Sequence, residues 1–208
     1  MEDPVVIDKF ISDELSIEFC DFLDPISKPT PRYGMSGALG YGTSSEAAEV
    51  GKTRRAINGF ENTEHEGTVL KIEEMFASVQ SALEEHFGVE MDLVNCNYQI
   101  LTEGGENPMH SDSTKLDGSP WRDDGIPEEL EYSALLYLNN YGEDFQGGEV
   151  YFELQDVLIE PKMGQLLFFK GDVEHIHEVR KVTGGFRKNF VFFFGKRGNV
   201  SQRQFFND

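Results

Sequence analysis

The sequence predicts a mainly β domain with flanking helices, and three observations carry that prediction. From about residue 89 the apolar residues recur with a period near two, the signature of half-buried strands. The runs that follow are short and separated by turn signals, as in an antiparallel sandwich or barrel. The clear helical periodicities lie before residue 89. At 208 residues the chain fits a single domain, 1–208, with helical N-terminal support over about 1–88 and a β core over about 89–200.

Taken in order, PVVIDKFI (4–11) reads as a short entering strand. Ser12 caps a helix running to about residue 23, with Leu15, Phe19, Phe22 and Leu23 on its buried side. Residues 24–60 are rich in Pro, Gly, Ser and Thr without a sustained period, and are expected to be irregular. Their GMSGALGYGT stretch lacks the pattern of a phosphate-binding loop. Thr63 and Glu66 form a capping box for a helix whose core face is Val69, Ile72, Phe76, Val79 and Leu83, with Gly88 as its stop. His65 and His86, at the start and end of this helix, are expected at the surface. The strands then follow: MDLVNCNYQILTE (91–103), YSALLYLNN (132–140), GGEVYFEL (147–154), DVLIEP (156–161), QLLFFKG (165–171), HEVRKV (177–182) and NFVFFFG (189–195). The acidic insertion 113–131, carrying Trp121, begins directly after Asp112 and reads as a solvated loop or a lid.

A net charge of −20 and a pI near 4.5 argue against nucleic-acid and anionic-membrane partners. No apolar run approaches the roughly 20 residues that span a bilayer. The N-terminus resembles neither a signal nor a transit peptide, so a cytoplasmic location is expected. Two cysteines, Cys20 and Cys96, are too few for a disulfide scaffold and are expected as buried thiols.

The chemistry concentrates in His110-Ser111-Asp112, His177 and Arg187. Residues two apart in an extended segment project to the same side, so His110 and Asp112 can reach one metal ion. Two imidazoles and one carboxylate are the ligand set of a non-haem iron(II) centre with open positions. His175 competes with His177 as the second imidazole. Arg187 is suited to a bidentate grip on a carboxylate, and its neighbour Lys188, pointing the other way, competes with it. H-x-D alone is a weak signal; the strand pattern around these residues is what gives the set its weight.

The segments HSD, YSALLYLNN, FQGGEVYF, IEPKMGQLLFF and HEVRKVTGGFR, in that order between about 90 and 195, resemble the prolyl hydroxylase family of iron(II)/2-oxoglutarate dioxygenases. The resemblance implies a double-stranded β-helix, the cupin-like jelly roll. It implies Fe(II), 2-oxoglutarate and O2, and admits ascorbate as an accessory. The implied reaction hydroxylates an unactivated C–H bond of a prolyl or other amino-acid residue in a peptide or protein, releasing succinate and CO2. A small-molecule or free amino-acid substrate is the alternative, and a non-catalytic jelly-roll binding module the remote one. Carried over by motif, His110, Asp112 and His177 fall on the iron ligands, with the register selecting His177 over His175. Arg187, rather than Lys188, falls on the residue that pairs with the distal carboxylate of 2-oxoglutarate, and Tyr137 on the tyrosine that assists it. The family's tyrosine upstream of H-x-D has no clean match, and Tyr98 is the nearest candidate for a pocket role.

Overall fold

The computed structural model describes residues 2–29, 54–58, 66–119 and 130–198. Two antiparallel sheets face each other as a jelly roll. The larger is ordered β1 (Val5–Ile7), β10 (Leu166–Lys170), β6 (Tyr132–Tyr137), β12 (Val182–Lys196), β4 (Met91–Thr102), β3 (Arg54–Asn58) and β2 (Lys28–Pro29), with β7 (Phe145–Gly147) joined to the end of β12. The smaller is β5 (Asn107–His110), β11 (His177–Val179), β8 (Val150–Phe152) and β9 (Val157–Ile159). None of the described helices is long and apolar enough to cross a membrane.

Two α-helices among the described residues cover the outer face of the larger sheet. In α1 (Asp13–Leu23) the Ser12 side chain accepts from the Leu15 N–H at 3.2 Å, which satisfies one of the free donors of the first turn. Phe19 and Leu23 are fully buried, while Leu15 and Phe22 pack at the margin of the same core. In α2 (Glu66–Phe87) Ile72, Phe76, Val79 and Leu83 are buried, joined by Met75. Gly88, at φ +67°, ends it in the left-handed conformation that favours glycine. Thr63 and His65 lie outside the described residues. His86 is partly exposed and meets the Glu2 carboxylate at 3.0 Å.

Alternation along β12 explains the late phenylalanines. Phe190, Phe192 and Phe194 face the helices, where Phe76 meets Phe190 and Phe192 edge-on at 5.8 and 5.3 Å. Arg187, Asn189, Val191 and Phe193 alternate with them and face the smaller sheet. Cys20 and Cys96 are buried free thiols on the helix side. Burial pushes the Cys20 thiol up to about 11.

Several boundaries differ from the sequence expectation. The entering strand is only Val5–Ile7, because the chain turns at Lys9, which has a positive φ of 54°. Residues 24–60 contain β2 and β3, which extend the larger sheet beyond β4. RRAIN has no apolar alternation to announce β3; its register follows the ladder it forms with β4. The last strand begins at Val182 rather than near 189, so Arg187 sits inside it, paired with Leu101 of β4.

Candidate functional site

The pairing of β11 with β5 sets His177 directly opposite His110, with ring centroids 4.4 Å apart. Asp112 follows β5 in a turn held by the Gly171 carbonyl, which accepts from Ser111 Oγ at 2.7 Å and from the Ser113 N–H and Oγ, each at 2.8 Å. One donor atom from each of His110, Asp112 and His177 lies within 4.8 Å of the others. His110 Nε2 is 3.3 Å from Asp112 Oδ1, and His177 Nε2 is 4.0 Å from Oδ2.

The surroundings prepare these atoms for a cation. His110 Nδ1 donates to the Pro108 carbonyl at 2.8 Å and His177 Nδ1 to the His175 carbonyl at 3.0 Å, an assignment that leaves both Nε2 lone pairs turned inward. Burial lowers the pKa of His177 to about 4, with the adjacent His110 acting in the same direction, so the ring is neutral at pH 7. Burial pushes Asp112 up, but His177 and His110 outweigh it and hold the carboxyl at about 2. Ser133 Oγ, outside strict hydrogen-bond geometry, faces the same carboxylate and also favours its ionised form. Neutral imidazoles and an ionised carboxylate converging on one point fit a non-haem divalent metal ion.

His175 is excluded as a ligand by its own contacts. It closes a 3-10 turn, Val173–His175, so it does not share the strand face of His177. Its Nδ1 meets Asp172 Oδ1 and its Nε2 meets the Glu2 carbonyl, both at 3.0 Å.

Arg187 is fully buried on the inner face of β12. Its Nε donates to the Gly148 carbonyl at 2.8 Å and its Nη1 to Asn189 Oδ1 at 2.5 Å. The guanidinium stands 5.2 Å from the centroid of the Tyr137 ring, which is also fully buried. Nη2 has no hydrogen-bond partner among the described residues. A cation fixed at two corners with a donor to spare is suited to an anion, and a carboxylate matches its geometry. Lys188 points to the other face and ion-pairs with Asp24 Oδ2 at 2.5 Å.

Tyr98 requires a correction. It pairs with Phe190, and so faces the helices rather than the smaller sheet. Its hydroxyl donates to Asp24 and lies 3.9 Å from Cys20 Sγ. Tyr98 therefore belongs to the packing beneath α1, not to the pocket. The sequence reading also passed over Gly148 and Asn189. A Cβ on Gly148 would stand 2.8 Å from Arg187 Cδ, and its φ is +74°, so only glycine leaves room for the guanidinium stem. The Gly pair of FQGGEVYF was the available signal. Trp121 lies outside the described residues.

Residues 96–195 match the 2OG-Fe(II) oxygenase superfamily. Over 89 residues the chain is 38% identical to prolyl 3-hydroxylase 3 of Homo sapiens, covering 39% of this chain but only 12% of that protein. The viral collagen prolyl hydroxylase of Paramecium Bursaria Chlorella virus-1 superimposes with a TM-score of 0.60 at 18% identity, covering 94% of this chain and 96% of that one. A Trichoplax adhaerens prolyl hydroxylase, solved with a peptide fragment of the hypoxia inducible factor oxygen degradation domain, gives 0.61 at 17% identity, covering 96% and 87%. In sequence over the matched segment, and in fold over nearly its whole length, the chain resembles the prolyl hydroxylase-like 2OG-Fe(II) oxygenases.

Proposed function

We propose that this 2-oxoglutarate-dependent oxygenase domain hydroxylates an unactivated C–H bond of a prolyl or other amino-acid residue within a peptide, releasing succinate and CO2. The observation that carries the reading is the pairing of two devices facing one interior. One is the metal-ready set His110, Asp112 and His177; the other is the enclosed Arg187 guanidinium, whose Nη2 is unmet among the described residues. The three ligands would hold Fe(II), which when bound with O2 and 2-oxoglutarate supplies the oxidising chemistry.

The chain's own residues bind and orient. Arg187 grips the far carboxylate of the co-substrate, Tyr137 lies beneath the guanidinium, and Gly148 and Asn189 fix its angle. Phe152 and Phe169 pack on the His177 ring at 5.3 and 4.8 Å and keep water from the ligand side. A peptide substrate is favoured by the likeness in fold to the Trichoplax adhaerens prolyl hydroxylase solved with a peptide fragment; a free amino acid or other small molecule is the competing substrate.

The test is succinate release from 2-oxoglutarate with iron present, comparing proline-containing peptides with free amino acids. Peptide-stimulated, iron-dependent turnover supports the reading. Stimulation by free amino acids alone overturns the peptide assignment, and no iron-dependent turnover with either overturns the reaction.

A further inference from the structure

We infer that Asn97 is a second co-substrate contact, donating from its side-chain amide to a carboxylate oxygen of the bound 2-oxoglutarate. The inference rests on the functional reading above and adds a residue to it. Asn97 is 1% exposed, and neither Nδ2 nor Oδ1 has a hydrogen-bond partner among the described residues. A buried primary amide with both ends unmet is costly, and such groups in a native fold call for a ligand, a water or a function.

Its position argues for the ligand. Asn97 pairs with Val191, and Val191 pairs on its other side with Leu135. One step along the sheet, Phe193 pairs with Ser133, the residue that faces Asp112. One step the other way, Asn189 pairs with Tyr137 and holds the Arg187 guanidinium. Asn97 therefore sits on the same inner face, at the level between the metal set and the guanidinium, one strand aside from β12. A dicarboxylate strung between those two ends passes this level.

Enclosure selects the co-substrate over the peptide. Asn97 Nδ2 and Oδ1 and Arg187 Nη2 are all shut off from bulk solvent. The group that reaches them must be small enough to be enclosed with them. An anionic acceptor meets Nδ2 with a charge-assisted bond.

The experiment is calorimetric titration of 2-oxoglutarate into nickel-loaded protein, which reads binding without turnover, for the wild type, Asn97→Leu and Asn97→Ala. Both variants should bind 2-oxoglutarate about tenfold or more weakly, the loss expected for one hydrogen bond to a charged group. Nickel affinity measured without 2-oxoglutarate should be unchanged. Asn97→Leu removes the unmet amide while keeping a branched shape. Its ligand-free melting temperature should equal or exceed the wild type's, the opposite of what a merely structural asparagine would give. Wild-type affinity in either folded variant overturns the assignment to Asn97 and leaves the proposed function standing. Failure of the wild type itself to bind 2-oxoglutarate overturns both.

Discussion

The two faces of the larger sheet around β12 carry polar groups in opposite conditions. On the outer face, Lys188, Asp24 and Tyr98 form a closed set: the ammonium and the phenol both go to one carboxylate, amid the aromatic packing of α1 and α2. On the inner face, among the described residues, Arg187 keeps an unspent donor and Asn97 has neither end of its amide met. Residues 187 and 188 are adjacent in the chain, yet Lys188 is paired with Asp24 while Arg187 is the group proposed to take the co-substrate. Burial of a polar group is therefore not informative by itself. Whether its hydrogen-bonding capacity is exhausted within the protein separates a structural group from one waiting for a partner.

That comparison can be broken or sharpened by substitution. The largest effect should come from the inner side: His110→Ala, Asp112→Ala or His177→Ala each removes a ligand and should bring iron-dependent succinate formation to background, with the fold retained by circular dichroism. Wild-type turnover in His110→Ala would remove it from the metal set. Next, on the outer face, Phe192→Ala should cost about 3–5 kcal/mol in denaturant unfolding, while the folded fraction binds 2-oxoglutarate with unchanged affinity. A weakened affinity there would mean the two faces are coupled.

Smaller again is the clamp. Arg187→Lys keeps the charge but loses the planar fork, and Gly148→Ala intrudes on the guanidinium stem without touching any ligand. Each should raise the 2-oxoglutarate concentration for half-maximal turnover about tenfold, a change of ~1.4 kcal/mol. The smallest effect is Tyr98→Phe, which should cost about 1 kcal/mol of stability from one lost hydrogen bond and leave 2-oxoglutarate binding unaltered. A shift in 2-oxoglutarate affinity in Tyr98→Phe would return this residue to the pocket.

The residues differ in how openly the sequence displayed them. H-x-D, the H-E-V segment and Arg187 were legible because each is a chemically rare choice at a fixed distance along recognisable strands. His177 was separated from His175 by motif register. The fold gives the physical reason, since the 3-10 turn ends at His175 and the strand starts at His177. Tyr98 was misread because the Gly104-Gly105 turn interrupts the count back from His110, and a side chain's face depends on parity alone. The strand β3 was hidden because its pairing is made by backbone atoms. Asn189 was silent because an amide in a strand carries no sign in the sequence of what it will hydrogen-bond.

The turn after β5 has a consequence for loading. Three donors from Ser111 and Ser113 converge on the carbonyl of Gly171, and Gly171 leads into the segment that delivers His177. The two stretches that carry His110, Asp112 and His177 are thus stapled to each other through a residue outside that set. Much of the ordering entropy is spent during folding rather than at metal capture. Uptake of the ion should then follow bimolecular kinetics, first order in metal, with no slow protein rearrangement, and its rate should climb as the acidic surface is left unscreened by salt.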